Sequence, residues 1–151
     1  MALSDNLVVL QRTPLFAELQ QEALRLLAFG AEQRKILKGD TLYRQGDSAD
    51  CAYVVLSGVM EIWLQTPHKE QVRIRTLEKG SLMGEIALIM PTKRHFTAKA
   101  AENTDLLRIN RDIFQRLMDE YPFIATLLQD RIQQSLRKLM AELHHLQQKF
   151  H

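Results

Sequence analysis

Leu82-Met83-Gly84-Glu85-Ile86-Ala87-Leu88-Ile89-Met90-Pro91-Thr92-Lys93-Arg94-His95-Phe96-Thr97-Ala98 is the stretch whose reading decides the fold of this chain. Gly84 permits a tight turn and close backbone approach by a ligand. The residues after it suit a short helix, whose first N–H groups lack internal partners and carry the positive end of the dipole, so an anion is held there without any side chain. Arg94 follows Glu85 by nine residues, beyond a turn ended by Pro91, and can fold back onto the same spot. Its planar guanidinium offers paired donors to a phosphate, a geometry that lysine lacks. Glu85 suits a second task, accepting hydrogen bonds from sugar hydroxyls. A plainer account of the same residues is also available: Glu85 as a favourable first-turn acid and Arg94 as its surface ion-pair partner.

On both sides of this cassette the texture is β. From about Gln33, short runs rich in Val, Ile, Tyr and Leu alternate with turn signals at Gly39-Asp40, Gly46-Asp47, Ser57-Gly58, Pro67-His68 and Lys79-Gly80-Ser81. Such spacing suits a compact sandwich or roll. Val72 and Ile74 alternate with Arg73 and Arg75, which predicts a strand with one wet face. Cys51–Leu56 and Val59–Leu64 are less polar and predict central strands, with further strands at Phe96–Ala101 and Leu106–Ile109.

Helices flank the β region. Leu15, Phe16, Leu19, Ala23, Leu26 and Leu27 recur at three- and four-residue steps, predicting one helix with Pro14 in its first turn and Gly30 as its C-terminal cap. Leu7, Val8 and Leu10 suit a short helical lead-in. After Asn110 or Asp112 as cap comes a helix carrying Ile113, Phe114 and Leu117, and Pro122 then opens a long helix to about Lys149. Within it Ile132, Leu136, Leu139, Leu143, Leu146 and Phe150 are spaced four, three, four, three, four. That 3.5-residue repeat is the seam of a left-handed coiled coil, and it predicts a parallel homodimer through Ile132–Phe150. Ile124, Leu127 and Leu128 lie off the seam and are expected to pack on the chain's own β-roll.

Gly84-Glu85-Ile86-Ala87-Leu88, then Arg94, Thr97 and Lys99-Ala100, resemble the phosphate-binding cassette of cyclic-nucleotide-binding domains, as found in catabolite-activator-type regulators, protein-kinase regulatory subunits and cyclic-nucleotide-gated channels. Pro14-Leu15-Phe16 with Leu19 is similar to that family's opening helix. Gly46-Asp47, Tyr53-Val54-Val55-Leu56 and Ser57-Gly58-Val59 are similar to its paired-glycine signature. The likeness runs from about Leu10 to the last helix. It implies a mainly β fold with flanking helices: a double-stranded β-helix (jelly-roll, cupin-like β-roll) with an N-terminal helix and a long C-terminal helix. The expected organisation is a single domain over 1–151, with a helical segment to 30, the roll over 31–110, the cassette at 83–98, and helices over 111–151 that include the coiled-coil segment 132–150.

The resemblance also implies roles. Gly84 and Ala87 would present backbone to the phosphate, Glu85 would bind the ribose 2′-hydroxyl, and Arg94 would neutralise the exocyclic oxygens. Ile86, Val72 and Ile74 would wall the base, with Leu139 and Met140 facing it from the last helix. Met83 stands where the family usually has Phe, and a Met fills that space. His95 and Phe96 stand where the family prefers small residues. His95 can donate to phosphate when suitably protonated or tautomeric, and Phe96 points either into the core or across the mouth of the site.

Bulk properties narrow the function classes. The 151 residues suit one domain, 46% hydrophobic and 25% charged, with a formal net charge of +2. So small an excess points to no nucleic-acid partner, and with the chain ending at His151 no recognition helix is expected after the long helix. No apolar run approaches the ~18–20 residues that span a bilayer, so no membrane partner is expected. One cysteine and no secretory segment at the start predict a cytoplasmic protein. The five histidines make no metal pattern: His144 and His145 are adjacent on a helix and diverge. Cys51 reads as a small buried residue, and no nucleophile elbow accompanies the serines. The expectation is a non-enzymatic sensor of cAMP, less readily cGMP, with no cofactor, acting on its own dimer or on an unidentified protein effector. A dimeric interaction module of the same fold with a silent pocket is the alternative.

Overall fold

The computed structural model describes residues 3–149. The expected ends of the chain at 1–2 and the last seam residue, Phe150, lie outside the described residues.

The order is α1 (Leu3–Arg12), a 3-10 turn (Pro14–Phe16), α2 (Gln21–Gly30), β1 (Glu32–Ile36), β2 (Thr41–Tyr43), β3 (Ser48–Ala49), β4 (Cys51–Ser57), β5 (Met60–Gln65), β6 (Gln71–Leu77) and β7 (Leu82–Met83). A second 3-10 turn (Glu85–Leu88) precedes β8 (Thr92–Lys93), β9 (Thr97–Ala100), β10 (Thr104–Asn110), α3 (Arg111–Glu120) and α4 (Pro122–Lys149). The strands form two four-stranded antiparallel sheets, ordered β1-β10-β4-β7 and β2-β9-β5-β6, with β3 and β8 paired apart. This is the mainly β roll with flanking helices that the resemblance implies.

The run Cys51–Leu56 lacks polar residues because β4 is buried on both faces. Val55, with Leu106 of β10 and Met83 of β7, turns toward Met60, Ile62, Ala98 and Ala100 of the other sheet and closes the roll. Ala52, Val54 and Leu56, with Leu107 and Ile109, turn outward and receive the helices through Leu10, Phe16, Leu24, Leu27, Phe114 and Leu117. Each side chain of that size buried stabilises the fold by roughly 1.5–3 kcal/mol. The central sheet thus serves two cores.

Four expectations about the helices are corrected. The apolar residues from Leu15 to Leu27 do not share one helix: Pro14–Phe16 is a 3-10 turn and α2 begins only at Gln21, so Leu15, Phe16 and Leu19 reach the core from an irregular segment. Gly30 is the last residue of α2 rather than its cap, and the capping N–H of Ala31 bonds to Leu27 O. A Cβ on Gly30 would lie 2.1 Å from Ile113 Cδ1, so glycine here permits α2 to touch α3. Asn110 holds the cap position of α3, yet its side chain makes no capping bond. Leu127 is 37% exposed, whereas Leu128 and Ile124 pack on the core as expected.

Pro122 occupies the first turn of α4, where its missing N–H costs nothing. The helix runs across the roll, and the expected seam is partly used within the chain. Ile132 is wholly buried, while Leu136 and Leu139 pack beside it against the same core. Among the described residues no helix is long and apolar enough to cross a membrane.

Candidate functional site

Gly84 adopts φ +74°, a left-handed conformation that suits glycine, and it starts the 3-10 turn with Ala87 N–H bonded to Gly84 O at 3.1 Å. Ile86, Ala87 and Leu88 are buried, which anchors the turn in the helical core. Arg111, at the start of α3, clamps it from below: Nε donates to Ala87 O at 2.7 Å and Nη2 to Ala49 O at 2.8 Å. The turn, whose residues line the cavity, therefore sits on a fixed base.

Arg94 is brought to this turn by the loop after β8. Its N–H bonds to Asp47 O at 2.7 Å, its carbonyl accepts from Gly46 N–H at 2.8 Å, and Thr97 Oγ1 accepts from Gln45 N–H at 2.9 Å. The Gly46-Asp47 turn thus holds the arginine's backbone. The residue is only 7% exposed, and its guanidinium lies 4.3 Å from the Tyr43 ring centre. Nη2 approaches Cys51 Sγ at 3.3 Å, whereas Nη1 is buried without a partner. A Cβ on Gly84 would stand 2.3 Å from that Nη1. Glycine and arginine are therefore complementary: the missing side chain of one is the room for the other. Among the described residues Arg94 makes no ion pair. Burial pushes the Tyr43 phenol up to about 12 against the opposing pull of Arg94, so a neutral ring faces the cation.

Glu85 is half-buried at the same cavity. Burial pushes its carboxyl up; its own backbone N–H, the Ser135 hydroxyl and the Arg75 guanidinium pull the other way. His95 is also half-buried, and that burial pushes its imidazole down from 6.5. The cavity, of about 270 Å³, brings together Met83, Gly84, Glu85, Ile86, Ala87, Arg94, His95 and Leu139. A second, more open cleft adjoins it beyond Arg94 and His95, under Leu143 and Leu146 of α4.

Val72, Ile74 and Met140 do not line the cavity. Met140 is 44% exposed on the outer side of α4. For Ile74 the reason is a β-bulge: Ile62 pairs with Arg75 but Trp63 pairs with Arg73, leaving Ile74 unpaired, while Val72, opposite Leu64, lies further along the strand than the cavity wall. A bulge shifts which residues face inward. Arg75 and Leu77 accordingly turn onto the cavity wall, where simple alternation predicts Val72 and Ile74. Phe96 packs on the roll interior and also lines the cavity, with the Arg75 guanidinium 5.7 Å from its ring centre.

Sequence reading also passed over Tyr43, Arg75, Ser135, Lys138 and Glu142, all of which line the cavity. Tyr43 carries no spacing signal. Ser135, Lys138 and Glu142 lie three and four residues apart beside the apolar seam of α4, a polar stripe that marks a helix face directed at something other than lipid or core.

Comparison with known proteins agrees with this geometry. The family model for the cyclic nucleotide-binding domain matches residues 33–121. The cAMP-dependent protein kinase type II regulatory subunit of Drosophila melanogaster is 29% identical over 127 residues, which cover 84% of this chain and 32% of that protein. The chain spans between 6% and 32% of the length of the curated relatives it matches. Among solved structures, a cyclic nucleotide-binding-like protein from Brucella abortus is 39% identical with a TM-score of 0.68, covering 76% of this chain and 98% of that one. The N-terminal domain of a transcriptional regulator from Streptomyces coelicolor A3(2) is 30% identical with a TM-score of 0.77, covering 87% and 94%. With the family model matched over residues 33–121, and a left-handed glycine packed against a buried arginine at the cavity of the shared roll, the chain belongs to the cyclic nucleotide-binding domain family.

Proposed function

We propose that this chain is a non-catalytic sensor of a cyclic nucleotide, cAMP in preference to cGMP, in a reducing cytoplasm. The observation that carries the reading is the Arg94 guanidinium, buried beside Gly84 with Nη1 unpartnered. A buried charge without a partner is costly, and a bound anion removes that cost. An exocyclic phosphate in the cavity lies beside the Arg94 guanidinium and the backbone of Gly84 and Ala87, all of which line it. Glu85 is placed to accept from the ribose 2′-hydroxyl, and His95 to bond the phosphate or ribose. The base then lies among Ile86, Leu77, Phe96 and Leu139, with Arg75 above Phe96 in place of the expected Val72 and Ile74. No cofactor or metal enters this scheme. The preference for cAMP follows from likeness to the kinase regulatory subunit alone.

The signal leaves through α4, which contributes Ser135, Lys138, Leu139 and Glu142 to the cavity. A ligand that prefers one position of this helix shifts the population toward it. We further propose a homodimer through the Ile132–Phe150 segment. Met140 is 44% exposed there, whereas Ile132 is wholly buried in its own chain. A protein effector would read the dimer.

Calorimetric titration with cAMP and cGMP on wild type and Arg94→Ala tests the sensor. Binding by wild type and its loss in the variant are expected; a silent wild type leaves the interaction-module reading. Sedimentation of wild type and Met140→Glu tests the dimer, and a concentration-independent wild-type monomer excludes it.

A further inference from the structure

A buried arginine is ordinarily held by a carboxylate, which fixes its direction and cancels its charge. Arg94 is held differently. Its guanidinium lies 4.3 Å from the Tyr43 ring centre and 5.8 Å from that of Tyr53, two rings stacked at 6.2 Å and 26°. The electron-rich ring faces attract the cation without neutralising it. They do not set its rotation about the stacking axis. That is set by Cys51, whose Sγ lies 3.3 Å from Nη2 and whose residue is 2% exposed at the start of β4. The strand's alternation turns Cys51 to the roll interior with Tyr53 and Val55, and its carbonyl oxygen is 3.6 Å from the Cβ position of Gly84. With Nη2 on the sulfur, Nη1 is the group left facing Gly84, buried and unpartnered.

We propose that Cys51 is a positioning residue for anion binding: its thiol orients the Arg94 guanidinium toward Gly84 while leaving the guanidinium's charge uncompensated. A thiol is a weak acceptor, so it directs the donor at little electrostatic cost to the ligand. An aspartate at the same place would compete with the anion. An alanine would leave Nη2 without its partner and the guanidinium free to turn. This inference rests on the nucleotide reading for the identity of the ligand, and on Arg94, Cys51 and the two tyrosines for the arrangement.

The experiment pairs calorimetric titration with cAMP and nitrogen-detected NMR of the arginine guanidinium, on full-length wild type, Cys51→Ala and Cys51→Ser. In ligand-free wild type the Arg94 Nη signals are expected to be resolved, because rotation is restrained; in Cys51→Ala they are expected to average. The cAMP affinity of Cys51→Ala should fall about fivefold to tenfold, the effect of one net hydrogen bond. Cys51→Ser, which keeps an acceptor, should recover more than half of that loss on a logarithmic scale. All three should keep the same near-ultraviolet circular dichroism. Should Cys51→Ala destabilise the fold, Cys51→Ser against wild type still tests the orientation through the Arg94 spectrum. Identical Arg94 spectra in wild type and Cys51→Ala, or unchanged cAMP affinity, overturn the proposal while leaving the nucleotide reading intact. A wild type that gives no heat with cAMP overturns the nucleotide reading and the role of Cys51 toward that ligand together.

Discussion

Glu142 on α4 is ion-paired with Arg75 on β6, two residues separated by 67 positions in the chain and joined across the mouth of the cavity. The same guanidinium covers the Phe96 ring and pulls on the Glu85 carboxylate. One side chain therefore acts on the helix, on Phe96 and on Glu85. The pair is exposed, so its loss should change stability by no more than ~1 kcal/mol. Its effect on position should be larger. In Glu142→Gln the C-terminal half of α4 should exchange its amides several-fold faster than in wild type, with α3 unchanged. Uniform exchange along α4 in both proteins would show that the pair does not hold the helix.

Replacing Arg94 should separate binding from stability. In Arg94→Met an apolar chain of similar length replaces a buried cation with an unsatisfied nitrogen. Removing such a group commonly leaves a protein unharmed or more stable. A gain of about 1 kcal/mol is expected, raising Tm by roughly 2–4 °C, while cAMP affinity falls at least ~100-fold through loss of paired charge-assisted bonds. The measurements are differential scanning calorimetry and titration of the same samples. A lower Tm would mean that stacking on Tyr43 outweighs the unpaired charge.

The cassette was legible because its chemistry is local. Gly84, the turn after it and Arg94 lie within a short stretch, and each has a residue-level reason to be there. β4 was legible as well, its apolar run being the mark of burial on both faces. The base wall was not. Alternation in Val72–Arg75 is real, but the bulge at Ile74 puts Arg75 in its place opposite Ile62, and a bulge is decided by the pairing partner on β5 rather than by the strand itself. What covers the seam of α4 was not legible for a related reason. Spacing marks an apolar stripe but does not say what covers it, and Ile132 is covered by its own chain. Phe96, read as pointing either to the core or to the mouth, touches both the interior cluster and the cavity.

Glu85 should show the opposite trade from a simple surface acid. Burial raises its folded-state pKa above 4.5, more than Ser135 and Arg75 lower it. A carboxyl with a raised folded pKa contributes its stability fully below the unfolded value and loses it as pH rises through the folded one. At neutral pH the ionised form therefore costs stability. Glu85→Gln should raise Tm at about pH 7, with the difference from wild type vanishing below about pH 4. It should weaken cAMP binding by roughly 10–100-fold, the range for a hydrogen bond to a charged group. Thermal melts across that pH range check the first expectation and calorimetry the second. A Tm difference that persists unchanged at acid pH would assign the stabilisation to something other than the carboxyl's ionisation.

His95 should make binding pH-dependent. Partial burial lowers its pKa from 6.5 in the ligand-free protein, so at neutral pH the imidazole is uncharged. A phosphate bound beside it favours the protonated ring and raises the pKa. The complex then holds more proton than the free protein, and affinity must rise as pH falls through the interval between the two values. It levels off below the ligand-free value, where both states are protonated. The cavity also holds Arg75, Lys93, Lys138 and Glu142, and Glu85 opposes the trend only toward its acid end, where neutralising it weakens ribose binding. Between about pH 8 and pH 6 the cAMP affinity of wild type should therefore increase several-fold, with proton uptake seen as a buffer-dependent heat. In His95→Gln, which keeps a donor and cannot titrate, the affinity should be flat and the heat independent of buffer. Equal pH slopes in the two proteins would remove His95 from contact with the phosphate and leave that anion to Arg94 and the backbone of Gly84 and Ala87.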